Sequence, residues 1–276
     1  MVRPAPAASR ATEILDFLIA HPTAGFTLSQ IARARQMNVA TARTVLAVLT
    51  EAGYVVRQPS NRTFGLGPLM VAAGQAALER YPAVDVARDE IRRLSRRFGV
   101  EFLLTVPAGN DIVAVARAGR PHPRGIDVGG RVPLVPPVGA VFAAWGSDPE
   151  ILEWTERAAL GHTTEAGHFR RILELTRSRG YSVALRPPSV GYLLEDLEVE
   201  GPHHVLMIAA PVFNAEGRSL LSISLLDLPE PLSSVEVVEW GERLRDIGLT
   251  VTRATRGVVP NDHSPLAASA SRAEQG

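Results

Sequence analysis

The chain has 276 residues with 29 basic and 29 acidic side chains, 46% apolar residues, 5% aromatics and no cysteine. That length predicts two domains, one small and one near the common maximum, and the composition is that of a soluble globular protein, which excludes a fibre or wholesale disorder. The missing thiols exclude disulfides and cysteine metal sites, and the zero net charge argues against an electrostatic partner for the chain as a whole.

Splitting the chain changes the charge argument: residues 1–80 hold eight arginines against four acids and leave 21 arginines against 25 acids for the remainder. Every basic residue is arginine, so placement carries information and number does not. No apolar run approaches the roughly 18 residues of a spanning helix, and MVRPAPAASRAT has no apolar core of a signal peptide. These readings predict a cytoplasmic protein with no membrane partner.

In chain order, RATEILDFLIAH spaces Ile14, Leu15, Leu18 and Ile19 as a helix that His21-Pro22 ends. Thr27 is an N-cap for LSQIARAR, whose apolar side is Leu28, Ile31 and Ala32. After a short turn, Asn38 caps VATARTVLAVLTE, which Gly53 closes. Two helices joined by so short a turn form a helix-turn-helix. YVVRQ and RTFGL then read as a hairpin around Pro59-Ser60-Asn61, a small wing. PLMVAAGQAALER is a helix apolar on several sides, which predicts either a dimer contact or cover from elsewhere in the chain.

From about residue 83 the pattern becomes mixed. VARDEIRRLSRRFG is an amphipathic helix, EFLLTVP and DIVAVARA are strands joined at Ala108-Gly109-Asn110, and GIDVGGRVPL contains a further strand. Pro136-Pro137 precedes a small-residue helix, VGAVFAAW, and two more helices follow, PEILEWTERAAL and AGHFRRILELTRSRG. HHVLMIAAPVFN and SLLSISLLDLP are apolar strands joined by Ala215-Glu216-Gly217-Arg218, and SSVEVVEWGERLRDIGLTVTRAT closes the domain. Hairpin-paired strands with helices inserted between them predict an α+β fold, an antiparallel sheet with helices packed on it. From about 257 the chain is short of large apolar residues and is expected to be disordered.

The first turn of the third helix is small and hydroxylic where a surface helix carries glutamate and lysine. A helix that enters the major groove needs this: small residues let the backbone approach, hydroxyls hold phosphates or bases, and arginine reads guanine. Thr41, Arg43 and Thr44 are the candidates for direct contact. Arg57 and Arg62 on the wing are placed to reach flanking phosphates, fixing register without specifying sequence. The competing readings are a solvated helix that lacks charge and a hairpin that carries charge because it is exposed.

TLSQIARARQMNVATARTVLAVLTEAGYVVRQPSNRTFGLG resembles the winged helix-turn-helix of the IclR family of bacterial transcription regulators, with its reading helix, GYV strand and wing ending in LG in that order. GRVPLVPPVGAVFAAW, GYSVA, IAAPVFNAEGR and SLLSISL resemble later family segments, so the likeness spans roughly residues 10–255. It implies a winged helix-turn-helix domain over 10–67, a linker helix over 68–82, a GAF-like effector-binding and oligomerising domain over 83–256, and a tail over 257–276. It also implies an operator in double-stranded DNA, a small-molecule effector such as a carboxylate or aromatic metabolite, a homodimer or tetramer, and no cofactor.

Two departures stand out. The Pro-Lys-Ser-Thr type entry to the reading helix is here Asn38, Val39, Ala40 and Thr41, so fewer polar side chains face DNA and shape readout gains weight. The acidic residue that often follows the GY motif is replaced by Ala184-Leu185-Arg186-Pro187, which implies a more apolar pocket. Carried over residue by residue, Val138, Gly139 and Ala140 form one pocket wall with free backbone N–H groups for an anion. Met207, Ser222 and Ser224 form another. Without the resemblance, paired serines in an apolar strand satisfy neighbouring backbone, and small-residue helix starts are simply well packed.

An enzyme is the reading to exclude. His162 and His168 lack a carboxylate pair at metal spacing, His203 and His204 face opposite ways on a strand, and no HExxH, GxSxG, GxGxxG or P-loop occurs. Glu195, Asp196, Glu198 and Glu200 read as a solvated acidic loop, with a cation site as the alternative. No metal and no catalytic residue is predicted. The expected function is a ligand-responsive, sequence-specific DNA-binding regulator; the alternative is a winged-helix protein-interaction module fused to a small-molecule sensor.

Overall fold

The computed structural model describes residues 5–120, 126–136, 138–159, 166–186, 202–226, 228 and 231–260. These fall into two compact units, one running to Pro82 and including the segment Ile126–Gly130, the other comprising the remainder from Ala83 onward. The acidic run from Glu195 to Glu200, His162 and the tail beyond Pro260 lie outside the described residues.

The first unit is built on three helices. Helix α1 (Pro6–Ala20) opens with proline in its first turn, where the missing N–H costs nothing, and ends at His21. Strand β1 (Phe26–Thr27) leads into α2 (Leu28–Ala34), started by a capping box in which Thr27 Oγ1 accepts from Gln30 N and Gln30 Oε1 accepts from Thr27 N. Helix α3 (Val39–Glu51) starts at Asn38, whose Oδ1 accepts from Ala40 N at 2.8 Å, and Gly53 beyond its end sits at φ +80°. Ile14, Leu18, Ile31, Ala42, Leu46, Leu49 and Val55 close one core between these elements.

Strands β2 (Val55–Arg57) and β3 (Thr63–Leu66) form the wing, paired antiparallel with Arg57 opposite Phe64. Strand β1 adds to the other edge of β3, giving the order β1-β3-β2. Two residues have no alternation to read, which is why β1 has no signature in the sequence. Gly67 ends the wing where a Cβ would meet the Gly53 carbonyl oxygen at 2.2 Å, so only glycine lets the chain turn into α4 (Pro68–Arg80). No residue of α4 is buried, and Val71 is 76% exposed.

The second unit is a six-stranded antiparallel sheet in the order β6-β5-β4-β9-β8-β7. Its members are β4 (Glu101–Ala108), β5 (Asp111–Ala118), β6 (Arg131–Pro133), β7 (Ser182–Leu185), β8 (Val205–Phe213) and β9 (Ser219–Leu226). Helix α5 (Pro82–Phe98) buries the stripe Ala83, Ala87, Ile91 and Leu94. Helices α6 (Ala140–Ala143), α7 (Asp148–Ala159) and α8 (Ala166–Arg179) share a core with Ile112, Ala184, Met207 and Ala209 on one sheet face. Helix α9 (Ser234–Ala254) covers β8 from the other, with Gly248 against the Pro211 carbonyl oxygen and near the Ala210 side chain. Strand β8 is almost wholly buried because both its faces are covered.

Two local expectations change. The helix expected from Val138 to Trp145 is four residues long and begins at Ala140, because the N–H groups of Val138 and Gly139 both donate to the Val135 carbonyl and form a turn instead. Residues Gly257–Pro260, expected to begin a disordered tail, follow the β8 end: Val258 N donates to the Asn214 carbonyl at 2.9 Å.

Candidate nucleic-acid interface and ligand site

Helix α3 divides cleanly. Ala42, Leu46 and Leu49 are buried, whereas Ala40, Thr41, Arg43, Thr44, Ala47 and Val48 are exposed. At 100° per residue Thr44 lies near the centre of the exposed face, with Arg43 and Thr41 on its two flanks. Thr44 Oγ1 donates back to the Ala40 carbonyl at 3.1 Å, so its hydroxyl proton is committed and its oxygen is left to accept. The exposed face carries alanines where the backbone would approach a duplex and one cation at its edge.

On the wing, Arg57 is exposed and its guanidinium lies 5.6 Å from the Phe64 ring centroid, which holds the side chain along the ribbon. Arg62 is exposed in the left-handed region at φ +58°, donating its backbone N–H to the Gln58 carbonyl at 3.0 Å. Asn61 Oδ1 accepts from Thr63 N and Oγ1 and closes the turn beside it. Among the described residues, none of Arg43, Arg57 and Arg62 is in an ion pair. Guanidinium groups with no internal anion are available to an external one. Arg33, in the last turn of α2, is also exposed and went unmarked by sequence reading, since in a chain whose cations are all arginine one more carries no signal.

In the second unit, Met207, Ser222 and Ser224 face the α6–α8 side of the sheet. Met207 belongs to the apolar core there, and Ser224 pairs with Ala209 of the same face. Ser222 and Ser224 are 1% and 3% exposed, with hydroxyl oxygens 3.3 Å apart in a mutual hydrogen bond. Gly139 and Ala140 are buried and Val138 is half-buried. The six residues thus share one side of the sheet, but the N–H groups of Val138 and Gly139 are occupied rather than free.

A separate cleft of about 350 Å³ opens at the hairpin end of the same face, between the β4–β5 and β8–β9 turns and helix α7. Its lining includes Phe142, Trp145, Trp154, Arg157, Arg218 and Ser219. Among the described residues, Trp154 Nε1, Arg157 Nε and Ser219 Oγ are the buried side-chain polar atoms without a hydrogen-bond partner, and all three belong to residues that line this cleft. Nothing in the sequence marked them, because Trp154 sits at a helical core position and reads as packing. Glu150, also in the lining, accepts from Ser147 N and Oγ and from Arg218, contacts that hold its carboxyl below the usual carboxylate range.

Among the described residues no group of three or more histidine and acidic side chains converges as a metal site, and no helix is long and apolar enough to cross a membrane. His203 is buried with Nε2 at 2.9 Å from Ser234 Oγ, while His204 is exposed, so the adjacent histidines do face opposite ways.

Residues 7–59 match the model of the IclR helix-turn-helix domain. Over 254 residues the chain is 26% identical to the HTH-type transcriptional regulator XynR of Escherichia coli K12, spanning 89% of this chain and 95% of that one. An IclR transcriptional regulator from Alicyclobacillus acidocaldarius superposes with a TM-score of 0.66 at 21% identity, over 92% of this chain and all of that one. An IclR homolog from Microbacterium hydrocarbonoxydans, solved in complex with 4-hydroxybenzoate, superposes with a TM-score of 0.65 at 19% identity, over 91% of this chain and 99% of that one. The capped third helix, the arginine-bearing wing and the six-stranded sheet occur here in one chain whose residues 7–59 match the IclR helix-turn-helix domain and which is similar almost end to end to transcriptional regulators that carry such a domain.

Proposed function

We propose that the protein is a ligand-responsive, sequence-specific DNA-binding transcription regulator, not an enzyme, acting in the cytoplasm as a homodimer or tetramer. The observation that carries this reading is the exposed face of α3, slim at its leading turn, beside wing arginines that have no internal anion. Thr41, Arg43 and Thr44 read base edges, and Arg57 and Arg62 hold phosphates on either side.

The α/β unit binds a small-molecule effector, with Val138, Gly139, Ala140, Met207, Ser222 and Ser224 as its contacts. The 4-hydroxybenzoate complex of a structurally similar protein supports an organic carboxylate or aromatic as the ligand class. With two N–H groups of the turn occupied, polar recognition falls mainly to the paired serines. Helix α4, with no buried residue, supports association through its apolar side. An effector regulates only by its difference in affinity between two arrangements of the assembly.

Selection of bound fragments from random duplex DNA tests the reading. The full-length protein should enrich a related set of sequences, and a Thr41→Ala/Arg43→Ala/Thr44→Ala variant should not. Failure to enrich anything would leave the protein-interaction module as the better reading. A thermal-shift screen of carboxylates and aromatics then tests the effector, with the shift expected to disappear in Ser224→Ala.

A further inference from the structure

We infer that the cleft at the hairpin end of the sheet is a second ligand site of the α/β unit, shaped for a small monocarboxylate that carries an aromatic ring. None of the proposed effector contacts lines it, and its assignment does not depend on DNA binding. Its evidence is the convergence of unfilled hydrogen-bonding capacity. Buried polar side-chain atoms are nearly always paired, yet the three described exceptions all belong to residues that line one cleft.

They come from different parts of the chain. Trp154 and Arg157 stand three residues apart on α7 and so share a face, while Ser219 opens β9 after the β8–β9 turn. The chemistry of the set is directional. An indole N–H and a guanidinium Nε–H only donate, and a serine hydroxyl donates when offered an oxygen, so the complement is an acceptor. Trp154 is 1% exposed, and a Cβ on Gly139 would lie 2.7 Å from its Nε1, which places the indole nitrogen close against the Gly139 backbone.

Charge narrows the class. The lining holds Arg157 and Arg218 against Glu150 and Glu153. Glu150 is committed to Ser147 and Arg218, whereas Glu153 is in a loose ion pair with Arg157, its Oε1 3.9 Å from Nε and beyond hydrogen-bonding distance. Two carboxylates in the wall disfavour a dianion such as a phosphate monoester, and the donors favour a single negative group with two acceptor oxygens. Beside Asn110 and Asn214, the wall carries Pro107, Leu134, Phe142, Trp145 and Leu220, which surround a volume suited to one ring and a short side chain.

Phenylacetate and its neutral amide, phenylacetamide, are the probes, titrated into full-length protein labelled with 15N at tryptophan. The chain has three tryptophans, and Trp154→Phe identifies the Trp154 indole signal by its loss. Phenylacetate should move that signal, and phenylacetamide at the same concentration should leave it in place. Arg157→Gln and Ser219→Ala, each checked for folding by the other two indole signals, should weaken phenylacetate binding about tenfold and severalfold respectively. Ser224→Ala should leave the phenylacetate-induced movement of the Trp154 signal in place, whatever it does to binding at the serine site. The inference is overturned by a static Trp154 signal, by equal response to acid and amide, or by undiminished affinity in both the Arg157 and Ser219 variants. Loss of the Trp154 movement in Ser224→Ala alone would assign the ligand to the serine site instead.

Discussion

Arg62 occupies a left-handed backbone conformation that glycine or asparagine adopts at lower cost. A strained arginine at an exposed wing tip is the kind of local cost that functional positions retain. Arg62→Gly should therefore raise unfolding stability by about 1 kcal/mol, read by denaturant titration, while lowering the slope of log affinity against log salt by about one unit. Arg57→Ala should lower that slope by about the same amount; unchanged slopes would remove both side chains from the phosphates. Arg43→Ala should behave differently, costing about 1–3 kcal/mol on the best site and relaxing preference at one base pair. Equal loss on every duplex would make it a phosphate contact. The exposure of Thr41, Arg43 and Thr44 was legible in the sequence, because a 3.6-residue period assigns each side chain to a face. The unfilled donors of Trp154, Arg157 and Ser219 were not, since a missing partner is a property of distant segments brought together and leaves no local pattern.

Among the elements, the longer and more periodic ones were readable and the shortest were not. Helices α1, α3, α5 and α9 and the hairpins β4–β5 and β8–β9 follow their apolar periods closely. Strand β1 and the truncated α6 depend on partners outside their own segments: Phe64 and Thr63 in one case, the Val135 carbonyl in the other. The junction of β3 and α4 turns on Gly67, where Gly67→Ala would force a methyl into the Gly53 carbonyl. That substitution should destabilise the first unit by about 1–3 kcal/mol and should reduce DNA binding with it; an unaltered unfolding midpoint would show that the junction relaxes freely. The start of α7 has a pH signature. Glu150 titrates below its ordinary range through Ser147 and Arg218, so the folded state binds its proton less readily than the unfolded chain. The stabilisation is present above the unfolded carboxylate pKa and is lost as pH falls through the depressed value. Glu150→Gln should flatten that acid limb of the stability curve, and an identical limb in both proteins would contradict the assignment.

For the molecule as a whole, the basic excess lies in residues 1–80 and the acidic excess in the remainder, so a chain without net charge still offers DNA a positive unit. The proposed assembly has a candidate surface in α4, which exposes Leu69 and Val71, and Val71→Glu should shift the protein toward monomer in sedimentation and weaken binding to paired half-sites more than to one. An unchanged sedimentation coefficient would move the association surface elsewhere.

Helix α9 has one more implication. Gly241 and Gly248, seven residues apart and hence on one side of the helix, bring its backbone down onto the Tyr181 ring and the Pro211 carbonyl oxygen, with no side chain left to act as a spacer. A rod seated that low has little freedom to roll or slide, so α9 and the central strands move as a single plate. Any small molecule received by this unit must then transmit its signal by reshaping the plate's margins, the turns and short helices around it, while the plate itself stays still.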